Sequence, residues 1–344
     1  MSLRETMFVF LRSIYRKIVP SNIRDKWWQN AHKKKLYKYY LYFIRYIKKA
    51  GINLTDEDDS LISLIRQNPY IRTYDKGLLQ KLIFIILLEN EVDKDDEKLQ
   101  ILNYLKENDA TMIPYDFIKK YKAEDINVYD NKDYKYVLHE NKRMYFPQNW
   151  EDERIQLYYN NLIQEQDIDS PHRYEYNNFQ VNSGDVVVDI GAAEGIFALS
   201  IVEKAKKVYL FECNDIWVDV LKMTFLPYKD KIIIVNKYVG DMSEEDGGIN
   251  TVTIDQFFDG KEVNFIKADV EGAEINILKG AINFLKKAKN IKMTLCTYHN
   301  ENDAKDIKQI LLQYNFHLEF SKGYLLSIWE GKYRLRKGII RGFK

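Results

Sequence analysis

The sequence predicts an α/β fold in which helices cover both faces of a mostly parallel β-sheet. From about residue 185 almost to the end of the chain, short apolar runs alternate with helical segments, which is the pattern of β-α-β units. The runs are apolar throughout, which indicates strands that are buried on both faces of the sheet. In such sheets ligands bind beyond the carboxyl ends of the strands, so the residues at those ends are the candidates for function.

The strands and helices of this part follow one another in a regular order. The strands are predicted at 185–190, 207–212, 231–239, 263–268 and 291–297, and the helices near 195–205, 215–226, 273–286 and 303–314. A closing pair at 316–320 and 324–329, joined by Lys322–Gly323, predicts an antiparallel C-terminal hairpin added to the sheet.

The part of the chain before residue 130 is predicted to be an all-α extension. Helical periodicity runs from Thr55 to about Lys122, with helices near 56–67, 77–90, 94–107 and 114–121. A β-hairpin at 134–139 and 142–146, turning at Glu140–Asn141, and a helix near 151–165 come next. We therefore divide the chain into a helical N-terminal region (1–130), an α/β domain (131–335) and a basic tail (336–344).

Residues 1–50 are basic and aromatic, with apolar residues at helical spacing. An amphipathic helix of this kind can lie on an anionic membrane surface, or it can pack on its own protein or on a second subunit, and packing is the favoured interpretation. The region thus predicts a homo-oligomer contact, with peripheral contact at the inner membrane face as the alternative. The longest apolar run, 82–88, is too short to span a bilayer, and no cleaved signal is recognised, so a cytoplasmic location is expected.

Charge and cysteine content argue against several classes of function. The 344 residues include 52 Lys and Arg against 51 Asp and Glu, a net charge of +1, which does not favour nucleic acid as a partner. The two cysteines, Cys213 and Cys296, give no disulfide framework. The histidines show no zinc-ligand spacing, so no metal site is predicted on these grounds.

The first strand leads into a glycine turn that predicts a nucleoside cofactor. Small residues in such a turn let a ligand approach the backbone, because no Cβ blocks it. About twenty residues later the second strand ends in Glu212, where a carboxylate can accept both hydroxyls of a ribose. A turn whose glycines serve only packing is the alternative. The residues assigned to the cofactor in this part of the chain are Asp189, Gly191, Ala192, Glu194, Gly195, Glu212 and Cys213.

The composition of the turn favours a nucleoside without phosphate. Ala193 occupies the place where a dinucleotide site has its second glycine, which lets the backbone approach a pyrophosphate. The carboxylate of Glu194 also disfavours a phosphate. S-adenosyl-L-methionine (SAM) fits both observations, because it combines adenosine with a zwitterionic amino-acid end.

The later strands also end in polar residues that are expected to share the same edge of the sheet. Gly240–Asp241 and Asp269 are assigned to the cofactor, and Asp269 either receives the methionine ammonium or orients the acceptor. Glu274, in the first turn of the next helix, is explained by the helix dipole. Asp269, Glu271 and Glu274 together could hold a divalent cation, but this reading is not favoured.

His299 follows the fifth strand and is the candidate general base, because histidine accepts protons near neutral pH. A loop histidine bonded to backbone is the competing interpretation. Asp269 is the second catalytic candidate. The residues assigned to the substrate are His172, Arg173, Glu271 and Tyr298.

These motifs resemble the FkbM family of SAM-dependent methyltransferases over roughly residues 140–330. The resemblance rests on Val188–Gly195, on Phe265–Glu274 with Leu278–Ala281, and on Thr297–His299. It implies a class I methyltransferase of Rossmann-like fold that uses SAM, releases S-adenosyl-L-homocysteine (SAH), and methylates hydroxyls, commonly of sugars in polysaccharides, glycolipids or natural products. It also implies that Asp189, Gly191, Glu212 and Asp269 serve the cofactor and that His299 lies near the acceptor.

Residues and resemblance together predict a SAM-dependent O-methyltransferase acting on a sugar hydroxyl of a glycan or glycosylated small molecule. Methylation of a lipid-linked or natural-product acceptor at the membrane surface is an alternative within the same class. An interaction protein that binds a nucleoside without turnover is an alternative from another class. A nicotinamide-dependent oxidoreductase is the third, which the glycine pattern disfavours.

Overall fold

Two helices and a small antiparallel sheet come first in the computed structural model, which describes residues 76–90, 95–243, 250–329 and 332–344. Helix α2 begins where the Asp95 side chain accepts a hydrogen bond from the Lys98 backbone N–H. Glu140 and Asn141 turn the chain between two strands with positive φ angles of 50° and 64°, as a two-residue hairpin requires. The elements are α1 (Lys76–Asn90), α2 (Asp96–Glu107), β1 (Tyr129–Asn131), β2 (Tyr134–His139), β3 (Lys142–Pro147) and α3 (Asp152–Glu165).

These elements agree with the predicted helices near 77–90, 94–107 and 151–165 and with the predicted hairpin. The segment predicted as a helix near 114–121 is a short 3-10 helix, Asp116–Lys120. The predictions for residues 1–50 and for a helix near 56–67 lie outside the described residues. The division of the chain at residue 130 stays a prediction.

The rest of the chain alternates strands and helices as predicted, except that the predicted strand at 231–239 is divided into two strands and the predicted helix near 273–286 into two helices. The strands are β4 (Val186–Ile190), β5 (Lys207–Phe211), β6 (Ile232–Val235), β7 (Tyr238–Val239), β8 (Thr251–Val252), β9 (Phe265–Ala268), β10 (Lys292–Cys296), β11 (His317–Phe320), β12 (Leu325–Trp329), β13 (Lys332–Arg336) and β14 (Ile339–Phe343). The helices are α4 (Ile196–Ile201), α5 (Asp215–Thr224), α6 (Ile254–Phe257), α7 (Glu274–Lys279), α8 (Ile282–Lys287) and α9 (Asp303–Gln313).

Seven of these strands form one sheet in the order β6-β5-β4-β9-β10-β14-β11. Neighbours from β6 to β10 are parallel, and β14 is antiparallel to both β10 and β11. From β4 the chain builds outwards through β5 and β6, and it then returns to place β9 on the other side of β4. The carboxyl ends of β4 and β9 therefore meet at a topological switch point, where open α/β sheets bind their ligands.

Both faces of the sheet are covered, which confirms the predicted mostly parallel α/β fold. One buried apolar cluster joins the sheet to β2, β3, α3 and α4, and a second joins its opposite face to α6, α7, α8 and α9. The buried side chains of β4 alternate between the two clusters, with Val187 in the first and Val188 and Ile190 in the second. No helix among the described residues is both long and apolar enough to cross a membrane.

The C-terminal part is antiparallel as predicted, but its strands have other partners. β11 does not pair with β12; it pairs with β14, and β12 pairs with β13. The chain leaves the sheet after Gly323 because the next residues bond to earlier segments, with the Tyr324 N–H donating to Tyr115 Oη and the Leu326 N–H to the carbonyl of Met112. The predicted basic tail at 336–344 is instead largely the strand β14, which lies between two neighbours in the sheet.

Candidate active site

The glycine turn after β4 brings two strand ends into direct contact. Gly191 has φ +74°, and a Cβ at this position would lie 2.0 Å from the carbonyl oxygen of Asp269. The Gly191 and Ala192 N–H groups both donate to the carbonyl of Phe211, at 2.9 and 3.0 Å. The turn is therefore fixed between the ends of β5 and β9, and glycine at 191 is required both by φ and by this approach.

Glu212, at the end of β5, is held beneath the turn by two backbone donors. Its carboxylate accepts hydrogen bonds from the N–H groups of Ala193 and Asn214, both at 2.8 Å. Each carboxylate oxygen has a second lone pair, so these bonds orient the group and leave it able to accept ribose hydroxyls. Ala193 itself has φ +45°, which aims its N–H towards this carboxylate.

A pocket of about 260 Å³ opens at the switch point beside this turn. It brings together most of the predicted residues of the turn and of the end of β9. The predicted residues that line it are Asp189, Gly191, Ala192, Glu194, Asp269, Glu271 and Tyr298. The predicted residues that do not line it are Gly195, Glu212, Cys213, Gly240, Asp241, His172, Arg173 and His299. Of these, Gly240 follows β7 directly, with its N–H bonded to the carbonyl of Val252, and Asp241 is exposed.

Lys267, in the middle of β9, is a site residue that the sequence analysis did not identify. Its Nζ lies 3.0 Å from Asp189 Oδ1 and donates to the Gly191 carbonyl at 2.7 Å, with both side chains buried. Burial lowers the pKa of Lys267, but the charges of Asp189 and Asp269 raise it by more, so the side chain stays protonated. The only signal in the sequence is a lysine inside the apolar strand Phe265–Ala268.

Asp269 is the electrostatic centre of the site. Burial raises its pKa, yet the charges of Lys267 and of the neighbouring histidines lower it more, to about 2. Its Oδ2 accepts a hydrogen bond of 2.7 Å from Tyr174 Oη. His299 Nε2 lies 3.5 Å from its Oδ1, and His172 Nε2 lies 3.7 Å from its Oδ2. The carboxylate stays charged and is shared among several donors.

His299 is held by Glu274, for which we predicted only a helix-dipole role. The Glu274 side chain is fully buried, and its Oε1 lies 2.9 Å from His299 Nδ1 while also accepting the Val270 N–H at 3.0 Å. Burial lowers the pKa of His299, but the bond to Glu274 and the charges of Asp269, Glu274 and Glu271 raise it above its ordinary value. The helix-dipole reading of Glu274 is therefore incomplete, because the carboxylate orients the histidine.

The second nitrogen of His299 faces the site. Nε2 is buried and has no hydrogen-bond partner among the described residues, with Glu271 Oε2 at 3.7 Å and Asp269 Oδ1 at 3.5 Å. A histidine bonded to a carboxylate through Nδ1, with Nε2 left without a partner, can act as a general base when an acceptor hydroxyl reaches Nε2. The competing interpretation of a loop histidine bonded to backbone does not describe this arrangement.

The buried His172 and the half-buried Tyr298 form a pair next to Asp269, whereas Arg173 points elsewhere. His172 Nε2 lies 3.0 Å from Tyr298 Oη, and burial lowers the pKa of His172 to about 4, so the ring is neutral. The Arg173 guanidinium donates to the backbone carbonyls of Gln166 and Glu175. Arg173 therefore stabilises the segment before β4.

Two groups of side chains have ligand atoms close enough for a cation, within 4.8 Å of one another: Asp269, Glu274 and His299, and His172, Asp269 and Cys296. The trio that the sequence suggested, Asp269, Glu271 and Glu274, does not gather in this way, because the Glu271 side chain is 89% exposed whereas that of Glu274 is buried. The direct bond between Glu274 and His299 already uses one ligand atom of each.

Comparison with known proteins agrees with the resemblance noted in the sequence. Residues 189–318 match the family described as Methyltransferase FkbM domain. No curated protein matches the chain.

Similar solved structures include several methyltransferases. The methyltransferase FkbM from Methylobacillus flagellatus KT is 20% identical, with a TM-score of 0.41 over 48% of this chain and 44% of that chain, so this chain spans under half of its length. The precorrin-6y C5,15-methyltransferase from Geobacter metallireducens GS-15 is 12% identical, with a TM-score of 0.34 over 48% and 82% of the two chains. TrmK of M. capricolum in complex with SAH is 13% identical, with a TM-score of 0.31 over 48% and 64%.

The family match covers the glycine turn, Glu212, the buried Lys267–Asp189 pair and the Glu274–His299 pair. Over residues 189–318 the chain therefore matches the FkbM methyltransferase family.

Proposed function

We propose that the protein is a SAM-dependent O-methyltransferase that transfers a methyl group to a sugar hydroxyl of a glycan or glycosylated small molecule. The observation that carries this proposal is the Glu274–His299 pair, whose open ring nitrogen lies beside Asp269 at the edge of the glycine-turn pocket. A site that only binds a nucleoside has no need of an oriented base at this point.

The charges of the pocket fit the cofactor. The acids that line it are Glu165, Asp189, Glu194, Asp269 and Glu271, and Lys267 is the one lysine or arginine among its described lining residues. SAM carries a sulfonium and an ammonium against one carboxylate, so the charged Asp269 attracts it and repels a phosphate. Burial raises the pKa of Glu165 to about 8 and that of Glu194 to about 7, and the positive charges of bound SAM would favour the ionised forms of both. Both oxygens of Asp189 are buried without a hydrogen-bond donor of good geometry, although Lys267 neutralises their charge.

The residues that would hold SAM follow from this geometry. Glu212 would accept the ribose hydroxyls, the turn from Gly191 to Glu194 would pass close to the sugar, and Asp189 or Asp269 would accept the ammonium. When bound, SAM supplies a methyl group made electrophilic by the sulfonium. Gly191 matters here because the two strand ends can form one continuous edge only without a Cβ between them.

His299 would act on the acceptor hydroxyl. A sugar hydroxyl is a poor nucleophile, and a base that takes its proton as the new bond forms makes it more reactive. The proton would move to Nε2, while Nδ1–H stays bonded to Glu274, whose charge stabilises the resulting imidazolium. The raised pKa of His299 makes it a stronger base than an ordinary histidine, at the cost of a smaller neutral fraction at low pH.

The sugar acceptor and the other partners rest on less direct support. The family resemblance implies sugar hydroxyls as acceptors, and the aromatic ring of Tyr298, next to His299, suits the apolar face of a pyranose. The alternative of a lipid-linked or natural-product acceptor at the membrane surface depends on residues 1–50, which lie outside the described residues. The proposed homo-oligomer contact depends on the same segment.

Calorimetric titration with SAM and SAH, followed by transfer of a labelled methyl group to a carbohydrate extract, tests the proposal. We expect His299→Ala to bind SAH like the wild type but to lose methyl transfer by about 10²- to 10⁴-fold, the usual contribution of a general base. His317→Ala, at an exposed histidine on β11, is the matched control and should leave both unchanged. Absence of SAM binding, or full activity in His299→Ala, would refute the proposal.

A further inference from the structure

A second pocket, of about 310 Å³, lies between helix α1, the segment 110–112 and strand β12. One end of it is formed by Glu271, Tyr298 and His299. The remaining walls include the apolar side chains of Phe84, Ala110, Met112, Leu326 and Ile328. Most of its walls thus come from parts of the chain outside the matched residues 189–318.

The second pocket adjoins the cofactor pocket. Tyr298 and Glu271 line both of them. His299 belongs to the second pocket only, and its open Nε2 lies 3.7 Å from Glu271 Oε2. A group held in the second pocket can therefore meet the base and, past Tyr298 and Glu271, the contents of the first pocket.

The lining of the second pocket selects by charge. Of the described residues that line it, none is lysine or arginine, and the one carboxylate, Glu271, stands at the reacting end. The ring of His299 can carry one positive charge, but it lies beside the carboxylates of Asp269, Glu271 and Glu274, at 3.5, 3.7 and 2.9 Å. An anionic group entering here would therefore meet an excess of like charge, which is unfavourable. The apolar walls would in turn pack against a ring that presents an apolar face.

The volume limits what can enter. Ligand pockets range from about 300 to about 1,000 Å³, and this pocket is at the small end of that range. One sugar ring with its substituents fits such a space.

We propose that this pocket is the acceptor site and that it selects an uncharged sugar ring over uronic acids and phosphorylated or sulfated sugars. The inference rests on the proposed function, because it names the acceptor of the same reaction. The helical region then takes part in substrate selection, since α1 and residues 110–112 form one wall.

The test uses the full chain with labelled SAM and a carbohydrate extract of the source organism, separated by anion exchange into neutral and acidic fractions. The wild type should label the neutral fraction. Ile328→Lys, at a residue 40% exposed, should shift the ratio of label about tenfold towards the acidic fraction, because it adds a cation to the pocket. Leu312→Lys, 50% exposed on α9, is the matched control and should leave the ratio unchanged.

A second variant tests the location of the site independently of charge. Ala110→Trp should fill the pocket and reduce labelling at least about 100-fold, because a reactant displaced by about 1 Å reacts about 100-fold more slowly. The affinity for SAH should stay that of the wild type. Two results would overturn the inference and leave the proposed function standing. The first is label in the acidic fraction of the wild type. The second is that Ala110→Trp and Ile328→Lys are labelled in the same way as the control Leu312→Lys. SAM binding with no label in any fraction would refute the proposed function instead.

Discussion

Glu274 and His299 are joined by a contact of 2.9 Å between a carboxylate oxygen and Nδ1, and both side chains are buried. Glu274 begins helix α7 and His299 follows strand β10, so the pair ties together the residues after two adjacent strands of the sheet. The bond fixes which nitrogen of the ring carries hydrogen and which faces the pockets. A side chain that also accepts a hydrogen bond from the Val270 N–H thus sets the state of the proposed base.

We expect Glu274→Gln to shift the pH dependence of methyl transfer to lower pH. The carboxylate raises the pKa of His299, so an amide at the same place, which can still accept from Nδ1–H, lets that pKa fall. Because the neutral ring is the active base, kcat/KM would then rise with pH over a lower range. Its maximum would fall by less than about 10²-fold, since the variant keeps a weaker base whereas His299→Ala has none. The profile is measured as kcat/KM from pH 5 to pH 9. Glu319→Gln, at an exposed position, is the control, and an unshifted midpoint in Glu274→Gln contradicts the assignment.

Gly191→Ala and Gly184→Ala should separate backbone strain from steric contact. Both glycines have positive φ, +74° and +87°, so alanine pays a similar strain of about 1–2 kcal/mol at each. Only at Gly191 would the Cβ meet another atom, the Asp269 carbonyl at 2.0 Å, whereas nothing lies within 4 Å at Gly184. We expect Gly184→Ala to bind SAH normally and Gly191→Ala to lose SAH binding in calorimetry. Equal affinities in two folded variants would show that the turn does not form the cofactor site.

Lys267→Met should destabilise the protein strongly, because it leaves Asp189 charged and buried. Removing one partner of a buried pair costs about 3–5 kcal/mol, whereas an exposed pair contributes at most about 1 kcal/mol. The exposed Lys222–Asp219 pair, at 2.9 Å, provides the control for the buried pair at 3.0 Å. Guanidinium unfolding of Lys267→Met, Lys222→Met and the double variant Asp189→Leu/Lys267→Met measures this. The double variant should recover much of the loss, and a small cost of Lys267→Met alone would contradict the buried pair.

Glu165→Gln should stabilise the protein increasingly as pH rises. Burial raises the pKa of Glu165 to about 8, with the charges of Asp269 and Glu194 adding to the effect. The pKa of this group is about 4.5 in the unfolded chain and higher in the folded one, and between these two values the unfolded state binds fewer protons. As pH rises through that range, the free energy of unfolding of the wild type therefore falls by up to about 1.4 kcal/mol per pH unit. The glutamine variant lacks that loss, so its Tm advantage should grow from pH 5 to pH 8. Glu203→Gln at an exposed position is the control, and a Tm difference that does not change with pH would be the contrary result.

Much of the fold could be predicted because its signals are local. The apolar runs at 186–190, 207–211 and 265–268 are strands, and the glycine turn lies where the strand endings indicated. The pairing of β11 and β12 could not be read in the same way, since adjacent strands joined by Lys322–Gly323 look like a hairpin. Their true partners are decided by contacts far along the chain, such as that of Tyr115 with Tyr324.

The site residues at the ends of strands could be predicted from the sequence, whereas those within a strand or a helix were missed. Asp189, Asp269 and Tyr298 line the cofactor pocket as strand ends. Lys267 lies within β9, and its burial depends on Asp189 in the neighbouring strand, which no local pattern shows. Glu274 had a sufficient local explanation as a first-turn acid, so its bond to His299 became visible only when the two strands were brought together.

The place of β14 between β10 and β11 has a consequence for biosynthesis. Strands β10 and β11 leave the ribosome before the strand that joins them, so a nascent chain carries two open edges until residues 339–343 emerge. Such edges invite pairing with other chains. The Thr297 N–H is bonded to the Gly338 carbonyl, so the segment that carries His299 lacks this anchor until residue 338 has been made. A chain cut short before residue 338 would therefore be prone to aggregation, even though every residue of the proposed base and cofactor sites had already been made.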